Sequence, residues 1–396
     1  MPPIRRHPGA FIEEITVGGR AISGVPTSTT AFVGRTRRGP VERPRLITSF
    51  AEYERIFGSL WIEAPLGYAV QQYFANGGRE ALICRTRNGR LPLTDAAISE
   101  PGLEAERRGL WALDRVDRFD ILVIPPLGLD LDVGRMTWDA AASYARRRRA
   151  MLIVDPPAAW QRPAGITSAA LAEVITPGDA LANAAIYYPR IVAADPVQGG
   201  NERAFAPSGA VAGVYARTDA RRGVWAPPAG VDATLVGVTG LATNLTDADT
   251  GLLNPRGVNV LRSFVGRGTV VWGARTLHGA DELASDWKYV PVRRLALFLE
   301  GSIVRGIGWA VFEPNGEPLW AELRQHVGTF LYQRFRDGAF QGRTADEAYF
   351  VKCDRSTTTQ TDIDNGIVTI VVGFAPLKPA EFVVITIRQR TLGPDG

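Results

Sequence analysis

A chain of 396 residues, 45% apolar and 22% charged, has the balance of a core-forming globular protein with room for two or three domains. This excludes a disordered tail, a fibrous repeat and a disulfide-stapled miniprotein. The formal charge of +4 is small for the length, and 41 acidic residues give a mixed-sign surface unlike a nucleic-acid footprint.

The first residues, MPPIRRHPGAFIEE, lack the apolar h-region of a secretory signal, so the chain is expected to stay where it is made. No apolar stretch approaches the ~18–20 residues of a membrane span, and no direct membrane insertion is expected. In PGAFIEEITVGG, Phe11, Glu13, Ile15 and Val17 alternate with Ile12, Glu14 and Thr16, the period of a strand with one apolar edge. Pro8-Gly9 and Gly18-Gly19 bracket it, so it is a strand on a leash. Such a strand must pair with a sheet in its own body or in another chain, and the pattern alone leaves both open.

From Thr30 the pattern becomes a layered α/β one. Residues 31–36 and 46–48 are expected as strands, and Ser49 as the N-cap of a helix, FAEYERIFG, that stops at Gly58. PLGYAVQQYFANGG predicts a helix opened by Pro65 and closed at Gly77-Gly78, followed by a strand over 80–86. Residues 88–110, with their Gly, Pro and charge, predict a linker. A second alternating unit follows: a strand in 119–126, a helix through MTWDAAASYARRRR (136–149), a strand in 150–157, and further elements through LAEVIT and 184–195. Residues 196–256 are Gly/Pro-rich, with a short helix expected near 207–218.

GVNVLRSF (257–264) and TVVWGART (269–276) predict a hairpin around Gly266-Arg267-Gly268. The run 293–313 is expected as a mostly apolar helix whose Gly301, Gly306 and Gly308 suggest close packing. Over 319–338, Leu319, Leu323, Val327, Phe330 and Leu331 form one helical stripe, with Glu322, Gln325, Thr329 and Arg336 opposite. Strands over 366–376 and 381–390 close the chain, the last apolar on both faces and so expected to be buried or sandwiched. No repeat of 20–50 residues is present.

Motifs for covalent chemistry are scarce. The sequence has no Gly-Lys pair for a phosphate loop, no Gly-x-Gly-x-x-Gly after a strand, no Gly-x-Ser-x-Gly elbow, no His-Glu-x-x-His and no Cys-x-x-Cys. His7, His278 and His326 are scattered. Asp155, closing LIVDPP, resembles a magnesium-chelating strand-end aspartate, but without a phosphate loop it is expected to be a turn or cap residue. Arg146–Arg149 at a helix end suit the helix dipole and solvent better than nucleic acid. His326 is expected to be a partly buried structural residue, and Cys84 and Cys353 reduced and buried thiols. Of the 45 basic residues 42 are arginine, as a GC-rich genome would give, although arginine also suits bidentate pairing across interfaces. No catalytic residue, metal or cofactor is expected. A carboxylate pair has no local signature, so an α/β hydrolase stays as the weaker alternative by default.

Four stretches carry a further pattern: PGAFIEEI…ISGVPTSTTAFVGRTRRGP (8–40); GYAVQQYFANGGREALICR (67–85); YYPRI…PSGAVAGVYARTDARRGVWAPPAG (187–230); and NPRGVNVLRSF…GTVVWGART (254–276) with FVKCD…TDIDNGIVTIVVGFAPLKPAEFVVITI (350–387). Together they resemble the contractile tail sheath family, shared by phage tails, tailocins and extracellular contractile injection systems. Residues 88–185 resemble it least. The resemblance implies a mixed α/β (α+β) fold: a sheath core domain from 28–95 and 251–376, an additional outward α/β domain over 96–250, and arm strands at 1–27 and 377–396 exchanged between subunits.

The resemblance also implies a structural subunit, not an enzyme. It would stack as hexameric rings into a helical homo-oligomer around an inner tube and contract to drive that tube through a target envelope. Its implied partners are its own copies, the inner tube protein, and baseplate and tail-terminator or cap proteins, with no nucleic acid. It would assemble in the cytoplasm and work in a phage tail or extracellular particle. The inter-subunit residues would be Phe11, Ile12, Glu13, Glu14, Ile15 and Val17 of the N-terminal arm, and Phe382, Val383, Val384, Ile385 and Ile387 of the C-terminal arm. Gly9, Gly18, Gly19, Pro376 and Pro379 would supply hinges. A helix at 319–337 would meet the tube through Arg324, Arg334 and Arg336. The alternative is a sheath-like cap or baseplate adaptor that forms a single ring.

Overall fold

The computed structural model describes residues 21–87 and 92–381, so the arm residues expected at 11–17 and 382–387 lie outside the described residues. In chain order the described elements begin with β1 (Thr30–Gly34), β2 (Arg45–Ile47), α1 (Phe50–Phe57), α2 (Pro65–Ala75), β3 (Ala81–Arg85), α3 (Asp95–Ser99) and α4 (Leu103–Glu106). Next come β4 (Ile121–Val123), α5 (Arg135–Arg147), β5 (Met151–Val154), α6 (Ser168–Val174), β6 (Ala184–Tyr188), β7 (Ile191–Asp195), β8 (Asn201–Phe205) and α7 (Ser208–Arg222). They continue with β9 (Gly240–Leu241), α8 (Asp247–Leu253), β10 (Val258–Phe264), β11 (Gly268–Val271), α9 (Val290–Gly306) and α10 (Glu317–Arg336). The last are α11 (Ala345–Ala348), β12 (Tyr349–Lys352), α12 (Gln360–Asp364) and β13 (Val371–Phe374). They fall into two compact units: a larger one of residues 25–301, 339–341 and 375–381, and a smaller one of 21–24, 302–338 and 342–374.

In the larger unit, eight strands form one sheet in the order β11-β10-β6-β5-β4-β1-β3-β2. Strands β10, β6, β5, β4, β1 and β3 run parallel, and β2 and β11 are antiparallel edges. The interior strands read as near-continuous apolar runs (TAFVG, ALICR, ILV, MLIV, AAIYY) because helices cover both faces. Ala31, Val33, Leu122, Leu152 and Ile186 pack with Trp138 and Ala142 of α5. The intervening Phe32, Ile121, Ile153 and Ala185 pack with Tyr53, Tyr73 and Val211 of α1, α2 and α7. A smaller antiparallel sheet has the order β8-β7-β9, with β7 at its centre.

Local chemistry sets several helix ends as expected. The Ser49 side chain accepts from the Glu52 amide at 3.2 Å, Gly58 closes α1 at φ +92°, and Pro65 sits in the first turn of α2. Helices α2 and α7 cross closely enough that a Cβ on Gly209 would stand 2.2 Å from the Ala69 carbonyl oxygen, and one on Gly213 2.5 Å from that of Tyr73.

Three expectations differ from the structure. The region 88–110 is no linker: where described, it holds α3 and α4, and then a 3₁₀ turn at Gly109–Arg115, with Leu93, Ile98, Leu103, Leu110 and Leu113 buried. Asp95 ties α3 to α5 by accepting from the Gly134 amide (2.9 Å) and the Thr137 hydroxyl (2.5 Å). These helices are too short to show a periodicity and are held by tertiary contacts. Second, the divisions expected at 95/96 and 250/251 fall inside the large sheet, where β1 pairs with β4 and β6 with β10. Parallel pairing joins strands through long crossovers, so chain position does not report it. Third, the helix expected over 293–313 ends at Gly306. Cβ atoms on Gly301 and Gly306 would meet Arg118 and Ile22, whereas Gly308 faces open space.

The smaller unit is built on α10. Leu319, Trp320 and Leu323 bury with Cys353, flanked by Trp309, Ile363, Val368 and Ile370. Of the strand expected over 366–376, only β13 is paired, antiparallel to β12 with Tyr349 opposite Phe374 and Lys352 opposite Val371.

Candidate assembly surfaces

Helix α10 presents the three arginines in different states. Its stripe, Leu319, Leu323, Val327, Phe330 and Leu331, is buried as the spacing predicted. Arg324 donates to Glu317 at 2.7 Å and to the Cys353 carbonyl. Arg334 pairs with Asp337 at 3.0 Å and lies over the Phe330 ring at 5.5 Å. Arg336 is exposed and has no ion pair among the described residues. His326 is half-buried edge-on to Trp309, with centroids 5.5 Å apart.

The two-stranded β12–β13 sheet has no further strand partner among the described residues, which leaves an outer edge on each strand. An isolated two-stranded ribbon is marginal in water, and its open edges are templates for added strands. Phe350, Ile367 and Val371 are exposed around it. Ahead of α10 in the same unit, Phe312 is 102% exposed at φ +73°, a conformation bulky residues rarely adopt, beside exposed Val311. Strand β12, in the FVKCD stretch that resembles the family, alternates between half-buried and exposed residues.

The chemistry-bearing residues of the larger unit are committed to structure. The Asp155 carboxylate accepts from the amide (2.9 Å) and hydroxyl (2.7 Å) of Ser208, capping the start of α7. Arg148 donates to Asp114 and to the carbonyls of Leu113, Val116 and Asp117, while Arg146, Arg147 and Arg149 pair with Asp179, Glu104 and Glu300. Both cysteines are free and buried, and burial pushes the Cys84 thiol up to about 12, which suppresses the reactive thiolate. A cavity of about 560 Å³ is lined by Trp160, Tyr188, Arg190 and Arg203. Its cations are already paired, Arg190 with Asp132 and Arg203 with Asp195.

Burial also pushes Asp155 up to about 6 from an ordinary 3.8, offset in part by the Ser208 hydrogen bonds and Arg190. The folded carboxyl holds its proton more tightly than the unfolded one. Its contribution to stability is therefore full below about pH 4 and is lost as pH rises through 6, by ~3 kcal/mol at most. Denaturation of the wild type and Asp155→Asn at pH 4.5 and 7.5 should show the wild type gaining on the variant at the lower pH. A difference that does not change with pH would contradict this.

Comparison with known proteins places these features. The phage tail sheath central-domain model matches residues 140–277, and the phage tail sheath C-terminal-domain model matches 282–390. The chain belongs to the tail sheath family, whose members are structural proteins and not enzymes. The anti-feeding prophage helical sheath in its contracted state is 30% identical, with 98% of this chain and 100% of that one covered at a TM-score of 0.75. The contracted sheath complex of the PVC extracellular contractile injection system is 28% identical, with coverage of 98% and 99% and a TM-score of 0.75. A chain of the six-fold symmetrised anti-feeding prophage baseplate is also 28% identical, at a TM-score of 0.73. The tail sheath protein of Vibrio phage KVP40 is 28% identical over 191 residues, 48% of this chain; the Enterobacteria phage T4 tail sheath protein is 25% identical over 187, 47% of this chain. Each of these matches spans 27% of the phage protein's own length. No described helix is long and apolar enough to cross a membrane.

Proposed function

We propose that the chain is the repeating subunit of a contractile sheath, stacked as hexameric rings around an inner tube and shortening to drive that tube through an envelope. The whole-chain similarity to a contracted helical sheath carries this reading. The energy of contraction would reside in the assembled lattice, with no nucleotide or cofactor consumed. The arms at 1–27 and 377–396 would add strands to sheets of neighbouring copies, and the open edges of β12 and β13 offer the acceptor. On α10, Arg336 is the best-placed tube contact, because Arg324 and Arg334 already have partners. Cytoplasmic assembly, with baseplate and terminator proteins as further partners, belongs to the same reading.

Co-expression with the inner tube protein, followed by negative-stain electron microscopy, tests it: long hollow sheaths are expected. In the same preparation, Arg336→Glu should reduce tube-filled sheaths several-fold and leave empty sheath length unchanged. Unchanged filling would remove Arg336 from the tube face. The similarity to a baseplate chain favours one second reading, an adaptor or cap that forms a single ring. Isolated rings that never stack would select it.

A further inference from the structure

Among the described residues two arginines are buried, Arg275 at 1% exposure and Arg294 at 3%. Each holds the point where a terminal segment joins the larger unit. Arg294 grips Asp219 with both guanidinium nitrogens (2.8 and 2.7 Å) and donates to the Thr27 carbonyl at 2.7 Å, while the Thr27 hydroxyl donates to the same carboxylate at 2.7 Å. Arg275 grips Glu381 through Nε (2.7 Å) and Nη2 (2.5 Å). Its Nη1 donates to the Asn254 carbonyl (2.8 Å) and Asp281 (2.9 Å), and Asn259 fixes its backbone through both the amide and the carbonyl. Tyr289 donates to Glu381 as well, at 3.3 Å.

The two clamps converge on one short element. Arg275 bridges backbone to backbone with Tyr289, the residue before α9, and the Val290 amide donates to the Ala274 carbonyl at 2.9 Å. Arg294 lies in the second turn of the same helix, roughly 8 Å along its axis from Tyr289 at about 1.5 Å per residue. Desolvation offsets most of the attraction in a buried ion pair, so apolar packing would stabilise the fold as well. A bidentate fork adds fixed geometry instead, with two or more bonds that must break together.

We propose that Arg275 and Arg294 form a load path between the two terminal segments: Thr27, Arg294, the start of α9, Tyr289 and Arg275, then Glu381. Tension entering at one terminal root leaves at the other through these clamps and the start of α9, with Asn259 of β10 bracing the Arg275 end. This rests on the reading that 1–27 and 377–396 link neighbouring copies.

The test uses full-length chain assembled into sheaths and passed through a narrow orifice, with length read by electron microscopy. Glu381→Gln keeps a hydrogen-bonding side chain of the same shape but removes its charge, and Arg275→Lys keeps the charge but loses the bidentate fork. Both should assemble to normal length, fragment to half that length or less under shear, and exchange amide hydrogens at 375–381 at least tenfold faster. Ile153→Val, a sheet-core substitution that lowers stability without touching either root, should shear like the wild type. Equal shear lengths for the wild type and both clamp variants would overturn the load path. So would equal shortening of Ile153→Val, which would reduce the effect to general stability. A wild type that forms no sheaths at all would instead overturn the sheath reading, and the load path with it.

Discussion

Deleting residues 1–19 should leave a folded, soluble body that no longer grows into long sheaths. The described part of the larger unit starts at Val25 and its sheet at Thr30, so every described strand and helix of that unit lies beyond the deletion. A strand of six residues added to a neighbour's edge makes about five or six backbone hydrogen bonds at ~0.5–1.5 kcal/mol net each. Each lost link therefore weakens a subunit contact by several kcal/mol, which is decisive in a lattice built from repeats of one contact. The circular dichroism melt of the truncated chain should match the wild type, while electron microscopy shows only short or single-ring particles. Sheaths of wild-type length would take the N-terminal arm out of the assembly.

Gly213→Val should unfold the larger unit or leave it insoluble, and Gly213→Ala should cost ~3 kcal/mol or more. The Cβ would stand 2.5 Å from the Tyr73 carbonyl oxygen and 2.6 Å from Asn76 Cβ, so a backbone must move rather than a rotamer. Ordinary overpacking costs ~1–3 kcal/mol, and this clash lies at the upper end or beyond. Gly328→Ala is the control: that glycine lies within α10 with open space around it, and alanine there should gain up to ~1 kcal/mol. Thermal melts of the free subunits decide. A Gly213→Ala variant as stable as the wild type would mean that α2 and α7 do not pack this closely.

These cases also show what the sequence could convey. Ser49, Gly58 and Pro65 were legible because a cap or a first-turn proline acts on backbone groups a few residues away. The α10 stripe was legible from its 3.6-residue period. Gly209 and Gly213 passed unnoticed, since a glycine reveals a helix crossing only once the second helix is in place. Arg324 was expected to reach outward, yet its partner Glu317 sits two turns earlier on the same face, a spacing the sequence contained. The clamps themselves gave no local signal: Glu381 lies 106 residues from Arg275, whose nearby partner Asp281 is not part of the clamp, and Asp219 lies 75 residues from Arg294. The arms were legible as strands, while their pairing depends on other copies of the chain.

The order of the large sheet has a consequence for how the chain reaches its native state. Its third strand from one edge, β6, lies between β5 and β10, and β10 follows β6 by some seventy residues. Until 258–264 has been synthesised, β6 keeps an unpaired, fully apolar edge. Parallel pairings across such separations close slowly, and exposed edges of this kind associate with one another. Nascent chains are thus aggregation-prone between the emergence of β6 and that of β10, and a chaperone that shields this interval would raise soluble yield more than one acting on the finished subunit.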